Sequence, residues 1–117
     1  MRQLIYISGP ITNGNRNLSF YQAAEAQLRL MKTGDYACYN PMLSMAMFAN
    51  NELSWEEWLE CDESWIRVSD LVLRLPGESK GADREVTYAK TIGVSVVGVE
   101  YFECLRGLYT HGIKVAA

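Results

Sequence analysis

DLVLRLPGESKGADREVTYAKTIG, residues 70–93, sets the frame for the rest of the chain. The apolar run Leu71, Val72, Leu73 and Leu75 reads as a strand that breaks at Pro76-Gly77. A Ser/Lys/Gly turn then leads into a helix whose first turn is expected to contain Glu85. A strand, a glycine-bearing loop and a helix N-terminus together favour an anion, because unspent backbone N–H groups and the helix dipole point at it. An acid placed there is expected to stay ionised and open to a ligand. Acids are also enriched in first helical turns simply because they complement the dipole. Glu85, however, shares a helical face with Ala82, Ala89 and Ile92, so it is expected to point into the protein.

Working outward, apolar strands alternate with helices along the whole chain. Gln3 to Ser8 is a nearly continuous apolar run, as in a central parallel strand covered on both faces. Ser19 reads as the N-cap of a helix from Phe20 to about Lys32, with an apolar stripe of Phe20, Ala23, Ala24, Leu28 and Met31, stopped by Gly34. Tyr36 to Tyr39 is a second strand ended by Asn40-Pro41. Met42, Met45, Met47 and Phe48 suit either core packing or the wall of a ligand pocket. Ser54-Trp55-Glu56-Glu57 is a capping box opening a helix to about Val68. Val94 to Val99 reads as a fourth strand, Tyr101 to Tyr109 as helix, and Ile113 to Ala116 as a short edge strand. The pattern predicts one α/β domain over residues 1–117, a doubly wound parallel sheet (flavodoxin-like or Rossmann-like) in the order 2-1-3-4, with a fifth strand outside if one forms.

Composition narrows the function classes. The net charge is −3, and 21% of residues are charged with no Lys/Arg run, which argues against gripping a nucleic-acid polymer. A small anionic ligand remains compatible. Cys38, Cys61 and Cys104 show no C-x-x-C spacing, and His111 is the sole histidine, so no zinc set is expected and the thiols are read as buried and reduced. No stretch reaches the roughly 20 apolar residues of a membrane span, and MRQLIYISGP is too short in apolar residues for a signal peptide. A cytoplasmic location without membrane contact is expected.

In an open parallel sheet, ligands bind beyond the carboxyl ends of the strands where strand order reverses. Here Ser8-Gly9-Pro10-Ile11-Thr12 and Pro76 to Gly81 meet, with Tyr6 late in the first strand. Taken alone, Tyr6 reads better as a core aromatic whose hydroxyl is satisfied. Asp62 falls on the apolar face of the helix holding Trp55, Trp58, Leu59, Trp65 and Ile66, where an acid is costly unless paired or protonated. Glu56, Glu60, Glu63 and Arg67 read as a solvated face. Two carboxyl groups in unlike environments suit glycosidic bond cleavage, one ionised at a helix start and one kept protonated among Trp58 and Trp65.

At these residues the chain resembles the nucleoside 2-deoxyribosyltransferase-like family, which includes 2′-deoxynucleoside 5′-monophosphate N-glycosidases and small phage-type relatives. The resemblance runs over about residues 4–99 and rests on IYISGPIT, the Asn40-Pro41 pair, the helix with Asp62, SDLVLRLPG and SKGADREVTYAKTIG. It implies that Glu85 is a nucleophile, that Asp62 assists the leaving base, and that Tyr6 orients the nucleophile. Asp70 is the structural competitor to Asp62. It also implies substrate contacts from Ser8, Gly9, Pro10, Ile11, Ser79, Gly81 and Trp58, with no cofactor and no metal. A serine at position 79 matches the monophosphate hydrolases, where the transferases that use free nucleosides tend to have an acid. The resemblance further implies a homodimer or higher homo-oligomer, although no residue of Tyr101 to Ala117 matches the family's subunit-completing position. The rival reading is a non-catalytic nucleotide or ADP-ribose-binding module using the same crevice.

Overall fold

The computed structural model describes residues 1–10, 16–41 and 53–109. Ile11, Thr12, the methionine-rich stretch from Met42 to Phe48, His111 and the expected strand at Ile113 to Ala116 lie outside these described residues. Four parallel strands, β1 (Gln3–Ser8), β2 (Tyr36–Tyr39), β3 (Leu71–Arg74) and β4 (Ser95–Val97), form one sheet in the order β2-β1-β3-β4. This is the order expected from right-handed crossovers, with the reversal between β1 and β3. Helix α1 (Arg16–Lys32) covers one face, and α2 (Trp55–Val68) and α3 (Lys80–Thr91) cover the other.

The two faces differ in chemistry. Alternation along β1 sends Ile5 and Ile7 towards α1, where they join Ala23, Ala26, Leu30, Leu73, Leu75, Phe102 and Leu105 in the main apolar core. Tyr6 goes the other way and meets Ile66, Val72 and Ala89 in a smaller cluster. The buried polar and charged residues Ser8, Asp62 and Glu85 lie with β1, α2 and α3. Leu73 is fully buried at the centre of the large core. Leu73→Ala is therefore expected to cost about 3 kcal/mol and to lower the melting temperature by roughly 12 °C in a calorimetric scan.

Several local expectations need correction. Helix α1 begins at Arg16, so Ser19 lies inside it and is not its cap. A serine's preference for caps is weak enough to be overridden when the preceding residues can carry the turn. The buried stripe of α1 is Ala23, Ala26 and Leu30, whereas Leu28 and Met31 are exposed. Residues 99–105 form two single 3-10 turns, Val99–Tyr101 and Glu103–Leu105, in place of a longer helix. Their purpose in packing is to seat Phe102 and Leu105 under α1. Cys61 is exposed, and Cys38 and Cys104 are half-buried; none of the three is in a disulfide.

Other signals hold. Ser54 accepts from Glu57 N–H at 3.1 Å while the Glu57 carboxylate accepts from Ser54 N–H at 2.9 Å, a complete capping box. Gly34 ends α1 with φ +85°, a conformation that costs an L side chain but not glycine. Among the described residues no helix is long and apolar enough to cross a membrane.

Candidate active site

The site is built on the side of the sheet that faces α2 and α3. Tyr6 and Ser8 are two apart on β1, so both side chains emerge on this face. Tyr6 lies beside Val72 and Ser8 beside Arg74 in register, and Leu75 N–H donates to Ser8 C=O at 2.7 Å, extending the ladder to the crevice. Gly77 has φ +118°, and a Cβ there would stand 2.9 Å from Pro10 Cγ. Only glycine allows this close approach of the two loops, which brings the ends of β1 and β3 together.

Ser79 caps α3: its Oγ accepts from Ala82 N–H at 3.1 Å. The helix therefore starts at Lys80, and Glu85 stands in its second turn and not its first. This corrects the expected source of its charge stabilisation, since the dipole effect is confined to the first turn. Ala82, Glu85 and Ala89 form the buried face of α3, as the spacing predicts, while Ile92 is exposed. Glu85 is only 5% exposed.

Its compensation comes from β1. Tyr6 Oη donates to Glu85 Oε2 at 2.7 Å, and Ser8 Oγ donates to Glu85 Oε1 at 2.7 Å. Asp62, buried on α2, hydrogen-bonds to the same carboxylate. Arg74 adds positive potential from β3. Burial raises the Glu85 carboxyl above the ordinary carboxylate range, and the bonds from Tyr6, Ser8 and Asp62 and the Arg74 charge oppose that rise. Asp62 is pushed up to about 8, by burial first and then by the Glu85 charge and their shared hydrogen bond; its contact with Tyr6 works in the opposite sense. Burial thus raises both carboxyl groups of the pair, while the two hydroxyl donors on β1 and the Arg74 charge favour the ionised form of Glu85. The Tyr6 phenol is driven well above its usual range by burial and the neighbouring acids, so it remains a donor.

Asp70 is elsewhere. Its Oδ2 accepts from Leu4 N–H at 2.7 Å at the amino end of β1, a structural contact away from the carboxyl ends of the strands. The α2 tryptophans also differ from expectation: the buried residues of α2 are Leu59, Asp62 and Ile66, with Trp58 half-buried and Trp55 and Trp65 about half-exposed. Trp65 stacks on Tyr39 at 4.6 Å, and Tyr39 in turn stacks on Tyr6 at 5.7 Å. Trp55 lies under the Arg84 guanidinium, which pairs with Glu56 at 2.9 Å and Glu63 at 3.5 Å. Glu56, Glu60 and Arg67 are exposed, as expected, while half-buried Glu63 and Glu56 also reach α3 through Arg84. Arg67 likewise donates to Tyr88 Oη at 3.1 Å.

Two contributors had no place in the sequence reading. Arg74 binds the Leu75 and Gly77 carbonyl oxygens and pairs with Asp83 at 3.1 Å, fixing the Pro76-Gly77 loop against α3. Tyr39 braces Tyr6. The Tyr6–Tyr39 register of β1 against β2 is the signal that would have found it. Among the described residues no cluster of three or more His, Cys, Asp or Glu could hold a metal ion.

Residues 3–98 match the family described as a domain of unknown function, DUF4406. The chain belongs to that family. No curated protein matches the sequence. Solved structures similar to this DUF4406 chain include a 2-desoxiribosyltransferase from Leishmania mexicana, with TM-score 0.57 and 22% identity over 82% of this chain and 63% of that one. A 2-deoxyribosyltransferase from the psychrotolerant bacterium Bacillus psychrosaccharolyticus gives TM-score 0.59 and 19% identity, covering 81% of this chain and 70% of that one. The Clostridium botulinum CMP N-glycosidase BcmB gives TM-score 0.60 and 21% identity over 92% of this chain and 82% of that one. The DUF4406 chain spans just under two thirds of the length of the Leishmania protein. What these likenesses share with it is the fold, the one that the IYISGPIT and SKGADREVTYAKTIG segments implied.

Proposed function

We propose that this chain is an enzyme that cleaves the N-glycosidic bond of a (deoxy)nucleoside 5′-monophosphate through Glu85. The observation that carries the reading is the pair of buried carboxyl groups, Asp62 and Glu85, in one hydrogen-bonded cluster with Tyr6 and Ser8. In the ligand-free chain Asp62 and Glu85 bond to each other, and substrate binding inserts the scissile bond in place of that contact. A Glu85 oxygen uses a remaining lone pair to attack C1′ as the C1′–N bond breaks. The electron pair of that bond goes to the base, and the Asp62 proton goes to the base nitrogen. Water then opens the glycosyl ester, giving its proton to Asp62 and its oxygen to C1′, which restores both acids. A second base in place of water would make the reaction a transfer. The activities of the similar structures, transfer of a deoxyribosyl group and CMP N-glycosidase, support this class of chemistry.

The phosphate reading rests on the start of α3. Ser79 Oγ accepts from Ala82 N–H and keeps its own proton for a ligand, and the neighbouring helix-start N–H groups favour an anion. Gly9, Pro10 and Gly81 supply close backbone on the crevice walls. A non-catalytic sensor gives no role to two buried acids facing one another in the crevice, so we favour turnover.

The test is a chromatographic screen for free base over nucleosides and their 5′-monophosphates. Wild-type protein is expected to release base from monophosphates preferentially. Ser79→Asp is expected to lower that release by about 100-fold through like-charge repulsion, while sparing free nucleosides. Aspartate also caps helices well, so the fold is preserved. Equal release by wild-type and Glu85→Ala protein rules out the proposal as a whole.

A further inference from the structure

We infer that Ser8 is a positioning residue of the site, the second half of a two-point clamp on Glu85, and not a substrate contact. The inference rests on the reading of Glu85 as the nucleophile, but its geometry does not depend on the identity of the substrate. Ser8 is 0% exposed, and its one hydroxyl proton is spent on Glu85 Oε1 at 2.7 Å. Tyr6 holds Oε2 at the same distance from the neighbouring inward position of the same strand. A carboxylate gripped at both oxygens by donors on one rigid central strand cannot rotate about its last torsion. Its remaining lone pairs are thereby fixed in direction, which is the condition for a near-attack geometry.

The clamp also governs where the pair's single proton resides. The groups facing Glu85 are Tyr6 and Ser8 from β1, Asp62 from α2 and Arg74 from β3, with Glu63 acting on Asp62 and Tyr39 acting on Tyr6. All the direct donors stabilise the Glu85 anion, and only burial opposes it. Removing one of two short O–H donors therefore weakens the anion and drives the proton from Asp62 towards Glu85. Such a shift inactivates both acids at once, because the nucleophile is then protonated and the proton donor ionised.

The experiment is a ¹³C NMR titration of side-chain carboxyl groups in the ligand-free full chain, for wild type, Ser8→Ala and the nearly isosteric Ser8→Cys. Ser8→Ala is expected to raise the Glu85 titration by about one pH unit, with Ser8→Cys between it and wild type because a thiol is a weaker donor. The acid limb of kcat/KM for base release should move up by the same amount, with KM nearly unchanged. A raised KM with carboxyl titrations that match wild type in both variants overturns the inference and makes Ser8 a substrate contact. If the titrations move as expected while wild type releases base from no nucleotide, the clamp stands and the proposed reaction fails.

Discussion

Glu85→Gln is expected to abolish base release, lowering it by about 10⁴-fold or more, while leaving the fold intact. The amide keeps the shape of the carboxylate and retains one acceptor oxygen for Tyr6 or Ser8; the other hydroxyl can rotate to accept from the new NH₂. It has no charge with which to attack C1′. It also removes a buried negative charge, so the melting temperature should equal or exceed that of wild type. A loss of activity accompanied by a higher melting temperature is difficult to attribute to misfolding. The covalent step gives a second reading: quenched wild-type protein should carry a glycosyl mass on the peptide containing Glu85, and the glutamine variant should not. Residual turnover within tenfold of wild type would remove Glu85 from the chemistry.

Much of this site was legible because two acids interrupt apolar helical faces. Periodicity alone put Glu85 with Ala82 and Ala89, and Asp62 with Leu59 and Ile66, and these are the buried faces of α3 and α2. Strand order followed from handedness and from the short connections. The remainder was not legible, for reasons that can be named. The bond from Ser8 to Glu85 joins residues 77 apart and exists only because β1 lies beside β3 in one particular register. Arg74 at a strand end resembles any surface cation until the loop folds back to offer it carbonyl oxygens. Trp55 and Trp65 were placed inward on hydrophobicity, but a helix lying on a sheet buries only a narrow stripe, and here that stripe holds Leu59, Asp62 and Ile66. The flanking tryptophans found flat partners in Arg84 and Tyr39 instead.

That difference changes the account of how Asp62 stays protonated. A wall of tryptophan was expected to hold its proton. The structure instead gives burial against the sheet and the neighbouring Glu85, whose carboxyl group takes two hydroxyl donors from β1. The two acids are thus not independent groups that happen to differ. Their titrations are linked, so a change in the donors on Glu85 is expected to move both.

Asp62→Asn tests this coupling through stability as well as rate. An aspartate in the unfolded chain titrates at about 3.9, whereas Asp62 in the folded chain is pushed up to about 8. A folded-state pKa above the unfolded value means that the native chain holds a proton the unfolded chain releases. The contribution is fully present below about pH 4 and is lost as pH rises towards about 8. Asparagine does not titrate, and its NH₂ can still donate to Glu85. The variant should therefore match wild type in stability near pH 4 and exceed it increasingly as pH rises to 8, by several kcal/mol, read as a melting temperature that diverges upward from that of wild type. Base release should fall by about 10²- to 10⁴-fold, most severely for the bases that leave least readily, and the alkaline limb of the pH–rate profile should vanish. A wild-type alkaline limb that survives unchanged in the variant would place the proton donor on another residue. A stability difference that does not grow between pH 4 and pH 8 would mean that Asp62 is ionised in the native chain, and the division of roles between the two acids would have to be reversed.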